Sequence, residues 1–186
     1  HPRVRRQRQM CIRDRLSDQK TRRKAFEMVV RQYSEQLYWL VRRIVLTHED
    51  SNDVMQNVFI KAWSRLDTFR NDSKLSTWLY RIAVNESLDF MRRQKNMAAI
   101  AADAGDSSVA DMLMADRYFD GDKAAAMLHE AMSRLPEVQR MVFNMKYFDD
   151  MKYSEMSKIL NTSEGALKAS YHIAVKKITE YFRNND

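Results

Sequence analysis

The chain has 186 residues, 45% hydrophobic and 31% charged, with three Gly, two Pro, one Cys and a net charge of +7. Such a chain fits one domain or two small ones, and so few helix breakers among so many Leu, Met, Ala, Glu, Lys and Arg favour an all-α fold. Excluded are an intramolecular disulfide, a zinc site of Cys/His spacing and a membrane-spanning run, so no direct membrane insertion is expected.

Residues 1–24 hold ten of the 32 Lys/Arg and two of the 25 Asp/Glu, which leaves 22 bases against 23 acids in the remainder. The basicity is that of a short tail, and any nucleic-acid surface in the body must rest on local patches. Residues 1–23 show no apolar periodicity, no signal-peptide core and no Met at position 1. They read as a disordered basic arm or, in preference, as non-native sequence, and are set aside from the fold. The lone Cys11 suits a cytosolic protein.

Phe26, Val29, Val30, Tyr33, Leu37, Leu40, Val41 and Ile44 recur at helical spacing and predict a first helix about five turns long. Thr47 to Ser51 breaks it. A second helix is predicted from about Ser51 to Leu66, with Val54, Val58, Ala62 and Leu66 inside and Gln56, Asn57, Lys61 and Ser64 outside. Phe59 and Trp63 lie one turn apart on its flank, either as core or as a partner-binding patch. A third helix runs from Leu75 to about Gln94. One face carries Leu75, Leu79, Ile82, Ala83 and Phe90, and another carries Arg81, Asn85, Asp89, Arg92 and Arg93. Trp78 stands near its start, just after a polar loop at 70–74. An aromatic beside bases is what an unpaired nucleotide needs, although an amphipathic helix with a core Trp has the same pattern. Three such helices with short connections can bury a common core.

Residues 96–122 are rich in Ala, Asp and Ser, with six Asp against Arg117 as the one base. They read as a flexible acidic linker, with a short helix allowed around Met112, Leu113 and Met114. Helical spacing returns from Lys123. Met127, Leu128, Ala131, Met132 and Leu135 form one stripe, and Val138, Met141, Val142 and Met145 form the next, opened by Pro136. Tyr153–Leu160, a turn at 161–163 and a helix capped by Ser163 have helix-turn-helix proportions. With Leu167, Tyr171, Ala174 and Ile178 inside, Gly165, Lys168, Ala169, His172 and Lys176 face outward. Gly165 and Ala169 are small enough for close approach to a major groove, and Lys168 and Lys176 can hold phosphate. A plain helical hairpin is the alternative. The four His are scattered, and there is no phosphate-binding Gly loop and no nucleophile–base or metal cluster. Neither an enzyme nor a cofactor or small-molecule substrate is expected.

Four blocks in order resemble bacterial RNA polymerase sigma factors of the extracytoplasmic-function (ECF) type, in the sigma-70 family. They are DVMQNVFIKAW at 53–63, TWLYRIAVNESLDFMRR at 77–93, LPEVQRMVFNMKYF at 135–148 and YSEMSKILNTSEGALKASYHIAVKKI at 153–178. The resemblance covers nearly all of 24–183. It implies region 2 at 24–95 and region 4 at 123–184, joined by the linker at 96–122. It implies a cytoplasmic transcription initiation factor with three kinds of partner. These are core RNA polymerase through its beta and beta-prime subunits, promoter DNA both double-stranded and melted, and an anti-sigma factor.

The resemblance also implies roles. Asp53, Gln56, Asn57 and Phe59 would dock on core polymerase. Phe69, Asn71, Ser73, Lys74 and Trp78 would capture a flipped minus-ten base, and Asn85, Asp89, Arg92 and Arg93 would meet minus-ten DNA. Gly165, Lys168, Ala169, Ser170, His172 and Lys176 would face the minus-thirty-five element. Two departures stand out: Ser170 sits where relatives often have a base, and Lys152 where a Ser often caps the first helix of the motif. Two other readings are an autonomous helix-turn-helix regulator that does not bind core polymerase and a helical interaction protein without DNA.

Overall fold

The computed structural model describes residues 16, 18–69, 74–101 and 108–185. Leu16 is buried in the main core, and Asp18 opens a turn whose carboxylate accepts from the Lys20 N–H at 3.0 Å. Arg22 pairs with Asp67 at 2.8 Å. The expected tail is therefore shorter than 1–23, because Leu16 supplies an apolar anchor that the polar composition obscures. Residues 1–15 and 17 lie outside the described residues.

Helix α1, Arg22–Val45, buries the expected stripe, including Val29, Tyr33, Leu37, Leu40, Val41 and Ile44. It ends where Leu46 takes φ 74, a region costly for a residue with a side chain. Burial of Leu46 against Leu113 and Ala126 offsets that strain. Thr47 then caps α2, His48–Ser64, its Oγ1 accepting the Asp50 N–H at 3.1 Å. Such a cap contributes about 1 kcal/mol. Helix α2 buries Ser51, Val54, Met55, Val58 and Ala62, and a 3-10 turn at Leu66–Thr68 follows it.

Helix α3, Leu75–Ala101, buries Leu75, Leu79, Ile82, Ala83 and Val84. It runs nearly two turns past the expected end at Gln94. Met97 and the Ala-rich sequence after it are good helix formers, so propensity favours carrying the helix on. The buried Glu86 carboxylate accepts from Lys61 of α2 and ties the two helices together.

The segment between the two halves holds α4, Val109–Ala115, capped by Ser108. Leu113 is buried between Leu46 and Ala126, and Arg42 pairs with Asp116 at 2.6 Å. The Ala110 N–H donates to Glu130 at 3.0 Å, and the rings of His48 and Tyr118 stack with centroids 4.0 Å apart. Residues 108–118 are thus pinned to both α1 and the C-terminal helices.

Four further helices complete the chain: α5 Lys123–Ser133, α6 Glu137–Tyr147, α7 Tyr153–Leu160 and α8 Glu164–Asn185. Asp122 caps α5, accepting the Ala125 N–H at 2.8 Å. Ala131, Met132, Leu135, Phe143, Ala174 and Ile178 make a core of their own. Met141, Val142, Met145, Met156, Ile159 and Leu167 instead join the cluster formed by α1 to α3. The halves are therefore closed on each other. Arg43 of α1 reinforces the seam, reaching Asn144 and Asp149 at 2.6 Å each. There is no strand among the described residues, and no helix there is long and apolar enough to cross a membrane.

Candidate nucleic-acid interface

Helices α7 and α8 form the expected helix-turn-helix. The turn rests on Asn161, whose left-handed φ 51 and ψ 45 are tolerated by Asn better than by most residues. Ser163 Oγ accepts the Ala166 N–H at 3.3 Å and starts α8. Lys152 gives α7 no side-chain cap, as its departure from the motif implies. Leu167, Ala174 and Ile178 are buried, which turns Gly165, Lys168, Ala169, His172 and Lys176 together to solvent. Ser170 does not share that face. At 100° per residue it falls on the flank beside the buried row, and it is half-buried.

On α2, Asp53, Gln56 and Asn57 are exposed along one face. Phe59 is not: it is half-buried, packs against the core and meets Phe26 edge-on with centroids 6.4 Å apart. Trp63 is 42% exposed and lies against Phe26 and Arg22. The residue that completes the outward face is Ile60, 65% exposed, which the sequence reading missed. Its signal is an apolar side chain four residues after Gln56, on the polar side of an otherwise regular helix.

Around the start of α3, Trp78 and Phe69 are both half-buried and tilt against each other with centroids 5.2 Å apart. Asn71 and Ser73 lie outside the described residues. Further along, Arg81, Asn85, Asp89, Arg92 and Arg93 are all exposed on the expected face. That face looks at the C-terminal half. Arg92 reaches Glu137 at 2.8 Å, Lys74 donates to Glu155, and Arg81 donates to the Lys158 carbonyl. The hydrogen bond from Arg92 holds the Glu137 carboxyl below its ordinary range. Between these groups lies a cleft of about 550 Å³, lined by Arg81, Asn85, Leu88, Arg92, Val138 and Leu160 among others.

The arrangement offers surfaces for binding. Among the described residues no group of His, Cys, Asp and Glu could hold a metal ion. One surface is polar and centred on Ile60, one is basic and faces the cleft, and one is the open side of a helix-turn-helix.

These features define a class of two-part, all-helical proteins whose C-terminal half carries a helix-turn-helix. Residues 29–97 match the family model for Sigma-70 region 2, and residues 125–178 match that for Sigma-70, region 4. The RNA polymerase sigma-H factor of Pseudomonas aeruginosa is 30% identical over 155 residues, which is 79% of this chain and 80% of that protein. The ECF RNA polymerase sigma factor SigW of Bacillus subtilis is 28% identical over 95% of this chain and 99% of its own length. In fold, the chain resembles CnrH in complex with the cytosolic domain of CnrY. The TM-score is 0.71 at 20% identity, covering 96% of this chain and 98% of that one.

The chain belongs to the ECF group of RNA polymerase sigma factors, in the sigma-70 family. It is a transcription initiation factor, and the reading as an autonomous regulator is not favoured.

Proposed function

We propose that this chain acts as the promoter-specificity subunit of a bacterial RNA polymerase through three separate faces. Asp53, Gln56, Asn57 and Ile60 of α2 dock on the largest subunits of core polymerase. Trp78, with Phe69, Asn71, Ser73 and Lys74, captures a base flipped from the minus-ten region, while Asn85, Asp89, Arg92 and Arg93 meet the surrounding DNA. Flipping costs a few kcal/mol, and a pocket that binds only the unpaired base offsets it. Melting then needs no nucleotide hydrolysis, because binding to the open state alone shifts the equilibrium. Gly165, Lys168, Ala169, His172 and Lys176 of α8 enter the major groove of the minus-thirty-five element.

The observation that carries this reading is the uncovered outer face of α8. It places two lysines and a histidine around two side chains small enough for close approach, on a helix whose other side is packed. The protein acts by binding, catalyses no reaction of its own and works in the cytoplasm, where polymerase and DNA are. An anti-sigma factor is its expected antagonist. Support comes from two solved relatives that share the fold, one bound to CnrY and the other, RpoE of Bartonella quintana, bound to the anti-sigma factor NepR.

The test is run-off transcription with the full chain, bacterial core polymerase and a library of upstream fragments. Transcripts that require the added chain are expected. No transcripts together with no core binding by gel filtration would overturn the reading.

A further inference from the structure

Two features of the outer face of α8 have no explanation within the fold. Ile173 is 43% exposed, one turn after Ala169 and beside Lys176, on a helix whose apolar packing is met by Leu167, Ala174 and Ile178. Gly165 stands in the first turn without a positive φ, and a Cβ there would meet nothing within 4 Å. Alanine would serve the helix better, since glycine gives up more backbone entropy. An exposed apolar side chain and an unneeded glycine on one face both favour a surface that lies close against that face. The flanking Lys168, Lys176 and Lys177 are exposed, which suits a polyanion. Within a duplex, the apolar group that a major groove presents is the 5-methyl of thymine.

We propose that Ile173, with Ala169 beside it, reads thymine methyl groups in the upstream promoter element, and that Gly165 lets the helix backbone approach the groove. This rests on the reading that α8 enters the major groove. Specificity at those base pairs then comes from apolar contact, while the lysines hold phosphate and set the salt dependence.

The test uses reconstituted holoenzyme and the promoter fragments it selects from a randomised upstream element. Each dT in the selected element is replaced by dU, which removes only the methyl group. At one or two positions the wild-type holoenzyme should bind dU DNA about threefold to fivefold more weakly, the loss expected for one buried methyl. Ile173→Ala should show a similar loss on dT DNA and no further loss on dU DNA. Equal affinity for dT and dU at every position would overturn the proposal, as would a full additional loss for Ile173→Ala on dU DNA. Gly165→Ala gives a second reading: a raised thermal midpoint with weaker promoter binding is expected, and unchanged binding would overturn the close approach. Holoenzyme that assembles yet selects no upstream element would overturn the functional reading as well, which separates the two failures.

Discussion

His129 combines burial with an unfavourable setting. Its ring stacks on Phe148 at 6.1 Å and meets Phe119 edge-on at 6.2 Å, and its Nδ1 has no hydrogen-bond partner among the described residues. Burial first, then the charges of Arg42 and Arg43, push its pKa down to about 4. The unfolded chain titrates near the ordinary 6.5. Between those values the unfolded state takes up a proton that the folded state refuses, so stability is lost as pH falls from about 6.5 to 4. Urea midpoints between pH 7 and pH 4.5 should fall by the equivalent of about 2 kcal/mol, and His129→Phe should flatten the slope. An unchanged slope in the variant would assign the effect elsewhere. Asp149 cannot produce it, because burial raises its pKa and its contribution runs in the opposite sense.

Trp78 poses a different question, since packing and base capture call for the same ring. Trp78→Leu keeps an apolar side chain against Phe69 but removes the stacking surface. It should leave the thermal midpoint within a few degrees of wild type and abolish permanganate reactivity of the melted start site. Normal reactivity would make the ring a packing residue only.

At the scale of the element, α2 shows how one side chain can decide a surface. Ile60 sits amid Asp53, Gln56 and Asn57, an apolar centre within a polar rim, the pattern of an interface anchor. Ile60→Glu changes nothing buried, so circular dichroism and melting should match wild type. Affinity for core polymerase should fall at least tenfold, and assembly at wild-type affinity would remove α2 from the docking surface. The helices themselves are legible in apolar spacing: Val29, Tyr33 and Leu37 on α1, Val54 and Val58 on α2, and Leu79, Ile82 and Ala83 on α3 all point inward. The helix-turn-helix is legible too, because Ser163 and the Leu167–Ala174–Ile178 row fix which side of α8 faces out. Illegible were contacts set by distant partners. Nothing near Leu16 or Leu113 in the sequence announces the pockets that bury them, and Arg92 and Glu137 are 45 residues apart. Phe59 and Ser170 are both half-buried on helix flanks, where a small rotation decides between core and surface and spacing alone leaves the choice open.

For the whole molecule, the strongest constraint is the closure of one half on the other. The ion pairs across the seam do not hold it alone. Lys74–Glu155 and Arg92–Glu137 are about half exposed or only partly buried, so solvent and salt screen them and they add little. Buried apolar side chains such as Met145, Met156 and Ile159 contribute roughly 1.5–3 kcal/mol each, so packing outweighs charge and the closed form should persist at high salt. In that form Arg92, Asn85 and Arg81 line a cleft of about 550 Å³. A promoter duplex, whose major groove alone is about 12 Å wide, cannot enter it. The minus-ten role proposed above for Asn85 and Arg92 would therefore require the halves to part before duplex DNA reaches them.

A cross-link tests this directly. In a Cys11→Ser background, Arg92→Cys and Glu137→Cys can be joined by a short bismaleimide, since the native side chains meet at 2.8 Å. The uncross-linked double variant controls for loss of the arginine. The cross-linked protein should form at least tenfold fewer open complexes than that control, as read by permanganate footprinting. Equal numbers would mean that the downstream promoter element is engaged with the two halves still closed, and that the cleft residues are not its contact surface.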